Sequence, residues 1–118
     1  MKNILEEIAA RTRERIAKEK SRISVSELEN RIQEVNKNAR QKITFLQALQ
    51  KDGMSYICEV KKASPSKGLI APDFPYLAIA KEYEQAGASA ISCLTEPFYF
   101  QGADQYLREI AAAVQIPV

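Results

Sequence analysis

The chain changes pattern after Gly53, where short apolar runs begin to alternate with amphipathic segments. The run "SYICEV" is rich in β-branched and aromatic residues, which favour strands, and "SAISCLT" and "IPV" are two further strand candidates. Between them, "APDFPYLAIAKEYEQAG" and "DQYLREIAAAV" carry apolar residues at three- and four-residue spacings, which favour helices. Strand, helix, strand, helix, strand is typical of a parallel sheet that helices cover. This alternation predicts an α/β fold.

The ends of these two helices carry recognisable signals. Asp73 is expected to be the N-cap of the first, with Pro75 in its first turn and Gly87 just beyond its last residue. Asp104 is expected to be the N-cap of the second helix. The predicted buried stripes are Leu77, Ala80, Tyr83 and Ala86 in the first helix, and Leu107, Ile110, Ala111 and Val114 in the second.

The first fifty residues are predicted to be helical. "ILEEIAARTRERIAKEK" has one weakly apolar stripe, and "SVSELENRIQEV" has another after a capping-box pair, Ser24 and Glu27. A third short helix is expected in "ITFLQALQ", ended by the Asp52-Gly53 pair. We therefore predict a helical extension over residues 1–52 and βα units over residues 53–118.

Composition excludes several classes of protein. The 118 residues are 46% apolar and 27% charged, as in an ordinary soluble globular protein, and no apolar run approaches a membrane span. The arginine-rich face of the first helix is interleaved with glutamates, so a solvated surface is favoured over a nucleic-acid interface. Cys58 and Cys93 are typical of reduced core residues in a cytoplasmic protein. Without histidine, a dedicated zinc site is not expected.

Charged residues interrupt the end of the first predicted strand, "YICEVKKASPSKG". Side chains alternate along a strand, so Tyr56, Cys58 and Val60 share one face. Ile57, Glu59 and Lys61 lie on the other face, which is apolar at its start and ionic at its end. An open sheet would bury these charges under a helix, whereas a (β/α)8 barrel would place them at its open mouth. A pocket and a merely structural ion pair both fit this pattern.

Two loops follow the strands at the same end. "ASPSKG" offers hydroxyls, a cation and a flexible glycine, and "TEPFYFQG" is unusually aromatic. The aromatic residues suit either a lid packed on the rim or the wall of a pocket. A pocket with anionic, cationic and aromatic walls suits a phosphorylated or carboxylated substrate that contains a ring.

These motifs carry a family resemblance. "ICEVKKASPSKG", "IAKEYEQAGASAISCLTEPFYFQG" and "YLREIAAAVQIPV" resemble indole-3-glycerol phosphate synthase, from about Phe45 to the last residue. The resemblance implies about two and a half βα units from the N-terminal portion of a (β/α)8 TIM barrel, preceded by extra N-terminal helices. It also implies a cytoplasmic carboxy-lyase of tryptophan biosynthesis, which closes the ring of 1-(2-carboxyphenylamino)-1-deoxyribulose 5-phosphate with loss of carbon dioxide and water. Neither a cofactor nor a metal is expected.

The resemblance also implies roles for four residues. Glu59 resembles the strand-one carboxylate that takes part in proton transfer and stabilises positive charge on the ring nitrogen. Lys61 resembles the strand-one lysine that contacts substrate and is a candidate acid in the dehydration step. Ser64 resembles a loop serine that lines the substrate site, and Phe100 resembles the aromatic residue against the anthranilate ring.

The family continues from "IPV" into a strand that carries a further catalytic lysine, and a complete barrel needs about 250 residues. The chain is therefore expected to be an N-terminal portion that is inactive alone. The alternative is a non-catalytic folding or assembly module. Unpaired sheet edges favour self-association, with a second copy covering an inward face formed by Ile57, Ile91 and Cys93 or their neighbours. The expected ligand is a small phosphorylated aromatic substrate, and neither nucleic acid nor a membrane is an expected partner.

Overall fold

The computed structural model describes residues 3–39 and 42–118, which form five helices and four short strands. The helices are α1 (Ile4–Arg22), α2 (Val25–Asn38), α3 (Phe45–Leu49), α4 (Tyr76–Gln85) and α5 (Asp104–Ala113). The strands are β1 (Ile57–Val60), β2 (Ala63–Ser64), β3 (Gly68–Leu69) and β4 (Ala90–Cys93). The chain divides into two compact units, residues 1–41 and 42–118. The predicted domain boundary after residue 52 stays a prediction.

The first unit contains α1 and α2, which begin at side-chain caps. The Asn3 side chain accepts the Leu5 amide at 3.0 Å. The Ser24 hydroxyl accepts the Glu27 amide at 3.2 Å, as the capping signal at Ser24 predicted. Neither helix contains a buried residue. Their surfaces carry short-range ion pairs between Glu19 and Arg22, Glu27 and Arg31, and Glu34 and Lys37. The mixed-sign surface predicted for this part of the chain is therefore present.

The sequence signals predicted only some features of the helix N-termini in the second unit. Thr44 and Gln47 form a reciprocal capping box that fixes the start of α3. Asp73 was wrongly expected to cap α4, because the helix starts at Tyr76 and Pro75 holds the N-cap position. Asp104 lies inside the first turn of α5 instead of at its cap, where its charge still favours the helix N-terminus.

The end of α4 follows the prediction. Gly87 adopts a φ of 97°, which glycine tolerates without strain. Its amide donates to the Glu84 carbonyl at 3.1 Å, and the next amide, of Ala88, donates to the Tyr83 carbonyl at 3.0 Å. This pair of bonds is the Schellman arrangement, which turns the chain directly into β4.

A parallel pair of strands, β1 and β4, forms the centre of the second unit. Ile57 pairs with Ala90, Glu59 with Ser92, and Val60 with Cys93. One face of the pair packs against α4 and α5 in a core of Val60, Ala80, Ile91, Ile110 and Val114. The parallel order and the helix-covered face confirm the predicted α/β class.

The two helix stripes are largely where the sequence placed them. Ala80, Ile110 and Val114 are fully buried, and Leu77 and Tyr83 pack against the same core. Ala86 and Leu107 are exposed, contrary to the prediction. Ala86 lies just beyond the last residue of α4.

The register corrects the expectation for the opposite face of the sheet. Ile91 and Cys93 were expected on the same face as Ile57, but Ile91 pairs with Cys58 and Cys93 pairs with Val60. Paired residues of adjacent strands share a face, so Ile91 and Cys93 belong to the helix-covered core. Their neighbours Ala90 and Ser92 lie on the face of Ile57 instead, and the expectation included such neighbours as an alternative.

The segment after α5 is held beside β4 without forming a strand. The Ile91 amide donates to the Pro117 carbonyl at 2.9 Å, which is the hydrogen bond expected of a neighbouring strand. The side chains of Glu84 and Lys42 hold the backbone of residues 114–116, which leads into this segment. The Glu84 carboxylate accepts the amides of residues 115 and 116 at 2.7 and 3.0 Å, and Lys42 Nζ donates to the Val114 carbonyl at 2.8 Å. The predicted third strand over residues 116–118 is therefore positioned but not formed. No helix within the described ranges is long and apolar enough to cross a membrane.

Candidate functional site

An ion pair stands at the carboxyl end of β1. Lys61 Nζ lies 3.2 Å from Glu59 Oε1, and the two side chains are 34% and 44% exposed. Contact between residues two positions apart requires both side chains to lie on one side of the strand. Val60, between them, is fully buried on the other side. The predicted separation into an ionic face and a core face is therefore confirmed at this end of β1.

The pair is more accessible than a structural ion pair of the protein interior. An ion pair with this much solvent contact contributes roughly 0–1 kcal/mol to stability. The fold therefore depends little on its presence. The same exposure leaves the carboxylate and the ammonium group available to a ligand.

The backbone at the pair is fixed from two directions. The Tyr83 hydroxyl of α4 donates to the Glu59 carbonyl at 3.0 Å. The Leu94 amide, just after β4, donates to the Val60 carbonyl at 3.1 Å. The second bond places the start of the loop that follows β4 directly beside the ion pair.

The loop after β1 is a tight antiparallel hairpin of β2 and β3. Ala63 pairs with Leu69, and Ser64 pairs with Gly68, which turns with a φ of 63°. The Ser64 hydroxyl is part of this turn, because it accepts the Lys67 amide at 3.2 Å. Ser64 is buried, with 8% of its surface exposed. The connection between β1 and α4, which the composition of "ASPSKG" predicted to be a loop, thus contains a small hairpin.

The loop after β4 is organised around one carboxylate, that of Glu96. Glu96 Oε1 accepts the Phe98 amide at 2.9 Å, and Glu96 Oε2 accepts the amides of Tyr99 and Phe100 at 2.7 and 3.2 Å. Phe98 is exposed, whereas Tyr99 and Phe100 are half-buried. The aromatic loop therefore has a defined backbone shape.

A close contact at Gly102 completes the same loop. The Gly102 amide donates to the Glu96 carbonyl at 2.9 Å, and the preceding residue, Gln101, has a φ of 49°. A Cβ atom at residue 102 would lie 2.3 Å from the Leu94 carbonyl oxygen and 2.6 Å from the Thr95 carbonyl carbon. Since both are backbone atoms, only glycine fits at this position.

The four candidate residues are brought together to different degrees. Glu59 and Lys61 are in direct contact. Ser64 lies in the hairpin immediately after the pair, and Phe100 lies in the second loop, which leaves the same end of the parallel strands. Sequence reasoning did not identify Glu96, Gly102 or the Tyr83 hydroxyl as residues that shape the site. Residue type alone gave no signal for Glu96, because hydrogen bonds from one side chain to several amides depend on the path of the backbone.

The arrangement offers acid–base chemistry beside an aromatic loop. An ammonium group can donate a proton to an oxygen, and a carboxylate 3.2 Å away can accept one or stabilise a nearby positive charge. Within residues 3–39 and 42–118, no group of three or more Cys, Asp and Glu side chains is placed to bind a metal ion. Burial raises the pKa of the Cys93 thiol on the opposite, helix-covered face, which makes it a weaker nucleophile at neutral pH.

Comparison with known proteins agrees with this geometry. The family model for indole-3-glycerol phosphate synthase matches residues 5–118. The chain is 48% identical over 116 residues to the indole-3-glycerol phosphate synthase of Ruminiclostridium cellulolyticum, covering 98% of this chain and 44% of the relative. It is 49% identical over 114 residues to that of Lacticaseibacillus paracasei, covering 97% of this chain and 43% of the relative. The corresponding protein of Aliarcobacter butzleri is 44% identical over 115 residues, with coverage of 98% and 44%.

The match includes the ion pair, both loops at the carboxyl end of the strands, and the helices before them. The chain spans less than half the length of these curated relatives. Since the family model matches almost the whole chain, the chain belongs to the indole-3-glycerol phosphate synthase family.

Proposed function

We propose that this chain provides the first βα units of an indole-3-glycerol phosphate synthase. The reaction joins the carboxylate-bearing ring carbon of 1-(2-carboxyphenylamino)-1-deoxyribulose 5-phosphate to its ketone carbon, and then releases carbon dioxide and water. The observation that carries the proposal is the Glu59–Lys61 pair at the mouth end of β1, in a chain that matches the family model over residues 5–118.

Each member of the pair has a role that its chemistry supports. Ring closure places a proton on the ketone oxygen, and dehydration places one on the departing hydroxyl. Lys61 is proposed to contact the substrate and to act as an acid in the dehydration step. Glu59 is proposed to take part in proton transfer and to stabilise the positive charge that develops on the ring nitrogen. Their contact at 3.2 Å keeps the two groups side by side at the end of β1, where both can reach one ligand.

The two loops are proposed to bind the substrate. Ser64 would line the substrate site from the hairpin after β1, where its hydroxyl is already oriented by the Lys67 amide. Phe100 would pack against the anthranilate ring from the loop after β4, and its half-buried position suits an apolar wall. The ligand is therefore a small phosphorylated aromatic molecule, and neither nucleic acid nor a membrane is a proposed partner.

The wider architecture follows from the same proposal. The βα units of residues 53–118 would open a (β/α)8 barrel of about 250 residues, and the helices of residues 1–52 would be the family's N-terminal extension. A second catalytic lysine and the phosphate-binding loops would come from later strands. The 118 residues alone are therefore proposed to be inactive and to self-associate through the open sheet edges, in the cytoplasm.

A hybrid enzyme tests this function. The chain is joined, at the position after Val118, to the remaining C-terminal portion of the Ruminiclostridium cellulolyticum relative, replacing the 44% that it matches. Product formation is followed by indole fluorescence. We expect clear turnover from the hybrid and none above background from the 118-residue chain.

Two controls make the result decisive. The C-terminal portion of the relative without this chain should be inactive, and circular dichroism should show that the hybrid is folded. A folded hybrid without turnover would refute the synthase assignment and favour the alternative, a non-catalytic assembly module. Turnover by the 118-residue chain, purified from a host that lacks the enzyme, would refute its proposed inactivity.

A further inference from the structure

The Glu96 carboxylate lies at the centre of the loop that follows β4. Its two oxygens accept three successive backbone amides, those of Phe98, Tyr99 and Phe100, at 2.9, 2.7 and 3.2 Å. A charged acceptor makes stronger hydrogen bonds to amides than a neutral one. Glu96 therefore fixes the backbone of all three aromatic residues at once.

The loop is closed independently at its other end. The Gly102 amide donates to the backbone carbonyl of Glu96 at 2.9 Å. Glu96 therefore binds residues 98–100 through its side chain and residue 102 through its main chain. The close approach of Gly102 to the backbone of Leu94 and Thr95 leaves no space for a Cβ atom at residue 102. These contacts form within the loop itself, before any ligand is present.

The loop is also tied to the ionic end of β1. The Leu94 amide donates to the Val60 carbonyl at 3.1 Å, and Lys61 follows Val60 directly. If the loop backbone near Glu96 moves, Phe100 therefore moves relative to the Glu59–Lys61 pair.

We propose that Glu96 is a positioning residue, which orders the aromatic loop so that Phe100 is held ready for the substrate ring. This inference rests on the proposed function, because it takes Phe100 as the contact to the ring. Glu96 does not touch the reacting atoms. It acts by reducing the conformational freedom that the loop would otherwise lose on binding.

The inference predicts a specific kinetic signature in the hybrid synthase. Glu96→Ala removes all three acceptor bonds, and we expect KM for the substrate to rise about 10-fold while kcat changes by less than about 3-fold. Glu96→Gln keeps one acceptor oxygen and should give an intermediate KM. Glu82→Ala, on the exposed surface of α4, is the matched control and should leave both parameters unchanged.

A double-mutant cycle with Phe100→Ala separates positioning from a general loss of stability. If Glu96 acts through Phe100, Glu96→Ala should raise KM by less than about 2-fold once the ring is absent. An equal effect of Glu96→Ala in both backgrounds would overturn the inference, as would an unchanged KM in the hybrid that retains Phe100. An inactive but folded unmodified hybrid would instead refute the proposed function.

The loop geometry is tested separately on the 118-residue chain. Amide hydrogen exchange, read by nuclear magnetic resonance, should become about 10-fold or more faster at residues 98–100 in Glu96→Ala, with no change at β1 or β4. The Glu82→Ala control should exchange like the unmodified chain. Unchanged protection at residues 98–100 would overturn the inference whatever the hybrid does.

Discussion

Ile91 and Ile57 provide a matched pair of truncations on adjacent strands. Ile91 is 1% exposed and lies in the core under α4 and α5, whereas Ile57 is 52% exposed on the opposite face of the sheet. Both are changed to alanine, so the same atoms are removed at each position. The comparison asks which face of the β1–β4 pair is the packed one.

The expected costs differ because the surroundings differ. Ile91→Ala removes a side chain that is enclosed on all sides and leaves a cavity, which typically lowers the free energy of unfolding by about 2–5 kcal/mol. Ile57 is half exposed, so its truncation loses about half of a transfer free energy of roughly 1.5–3 kcal/mol and leaves no enclosed cavity. We therefore expect a cost of about 1 kcal/mol at Ile57.

Urea denaturation of the 118-residue chain, followed by far-ultraviolet circular dichroism at low protein concentration, measures both costs. Ile91→Val, which should cost about 0.5–1.5 kcal/mol, replaces Ile91→Ala if the latter does not fold. Equal costs at the two positions would refute the assignment of the packed face. A cost at Ile57 that grows with protein concentration would instead reveal that a second copy covers that face.

Three further predictions concern the loop, the helix surface and the association state. Gly102→Ala should lower the free energy of unfolding by about 1–3 kcal/mol in urea, because the new Cβ meets backbone atoms of Leu94 and Thr95, and an unchanged urea midpoint would contradict the close approach. The Tyr76 hydroxyl donates to the Glu109 carboxylate, which lowers the pKa of Glu109 and raises the pKa of Tyr76. The bond contributes its full stabilisation between pH values of about 4 and about 10, the unfolded pKa values of the carboxyl and the phenol. Tyr76→Phe should therefore lower the free energy of unfolding most within this range, and less at more acidic or more alkaline pH. A pH-independent difference in urea midpoint would contradict this. Light scattering after size-exclusion chromatography should show a dimer or larger species for the 118-residue chain, and a monomer at high concentration would contradict the proposed self-association.

The sequence was sufficient to predict the parallel strands and the two sides of β1. Period-two alternation separated Val60 from Glu59 and Lys61, because a strand directs an apolar side chain away from the two charged side chains that flank it. For β4 the same reasoning was insufficient. In "SAISCLT", apolar and hydroxyl residues occur in both alternating sets, so the pattern does not distinguish the face of Ile91 from that of Ala90.

The loops were the least predictable part of the site. Composition predicted a loop in "ASPSKG" but not the β2–β3 pairing or the bond to the Ser64 hydroxyl that give it a hairpin shape. Hydrogen bonds from one side chain to several amides depend on the exact path of the backbone, which residue type alone does not specify. For the same reason the role of Glu96 became visible only with the structure.

The central claim is that Glu59 and Lys61 are the ionic centre of the proposed synthase reaction. Its most direct test is the turnover of the hybrid enzyme with Glu59→Ala or Lys61→Ala, compared with Glu82→Ala and Lys81→Ala on the exposed surface of α4. Each variant must first show the circular dichroism spectrum of a folded protein. We predict that either site variant lowers turnover about 10²-fold or more, whereas the α4 variants keep that of the unmodified hybrid. Near-normal turnover by a folded Glu59→Ala hybrid would contradict the claim.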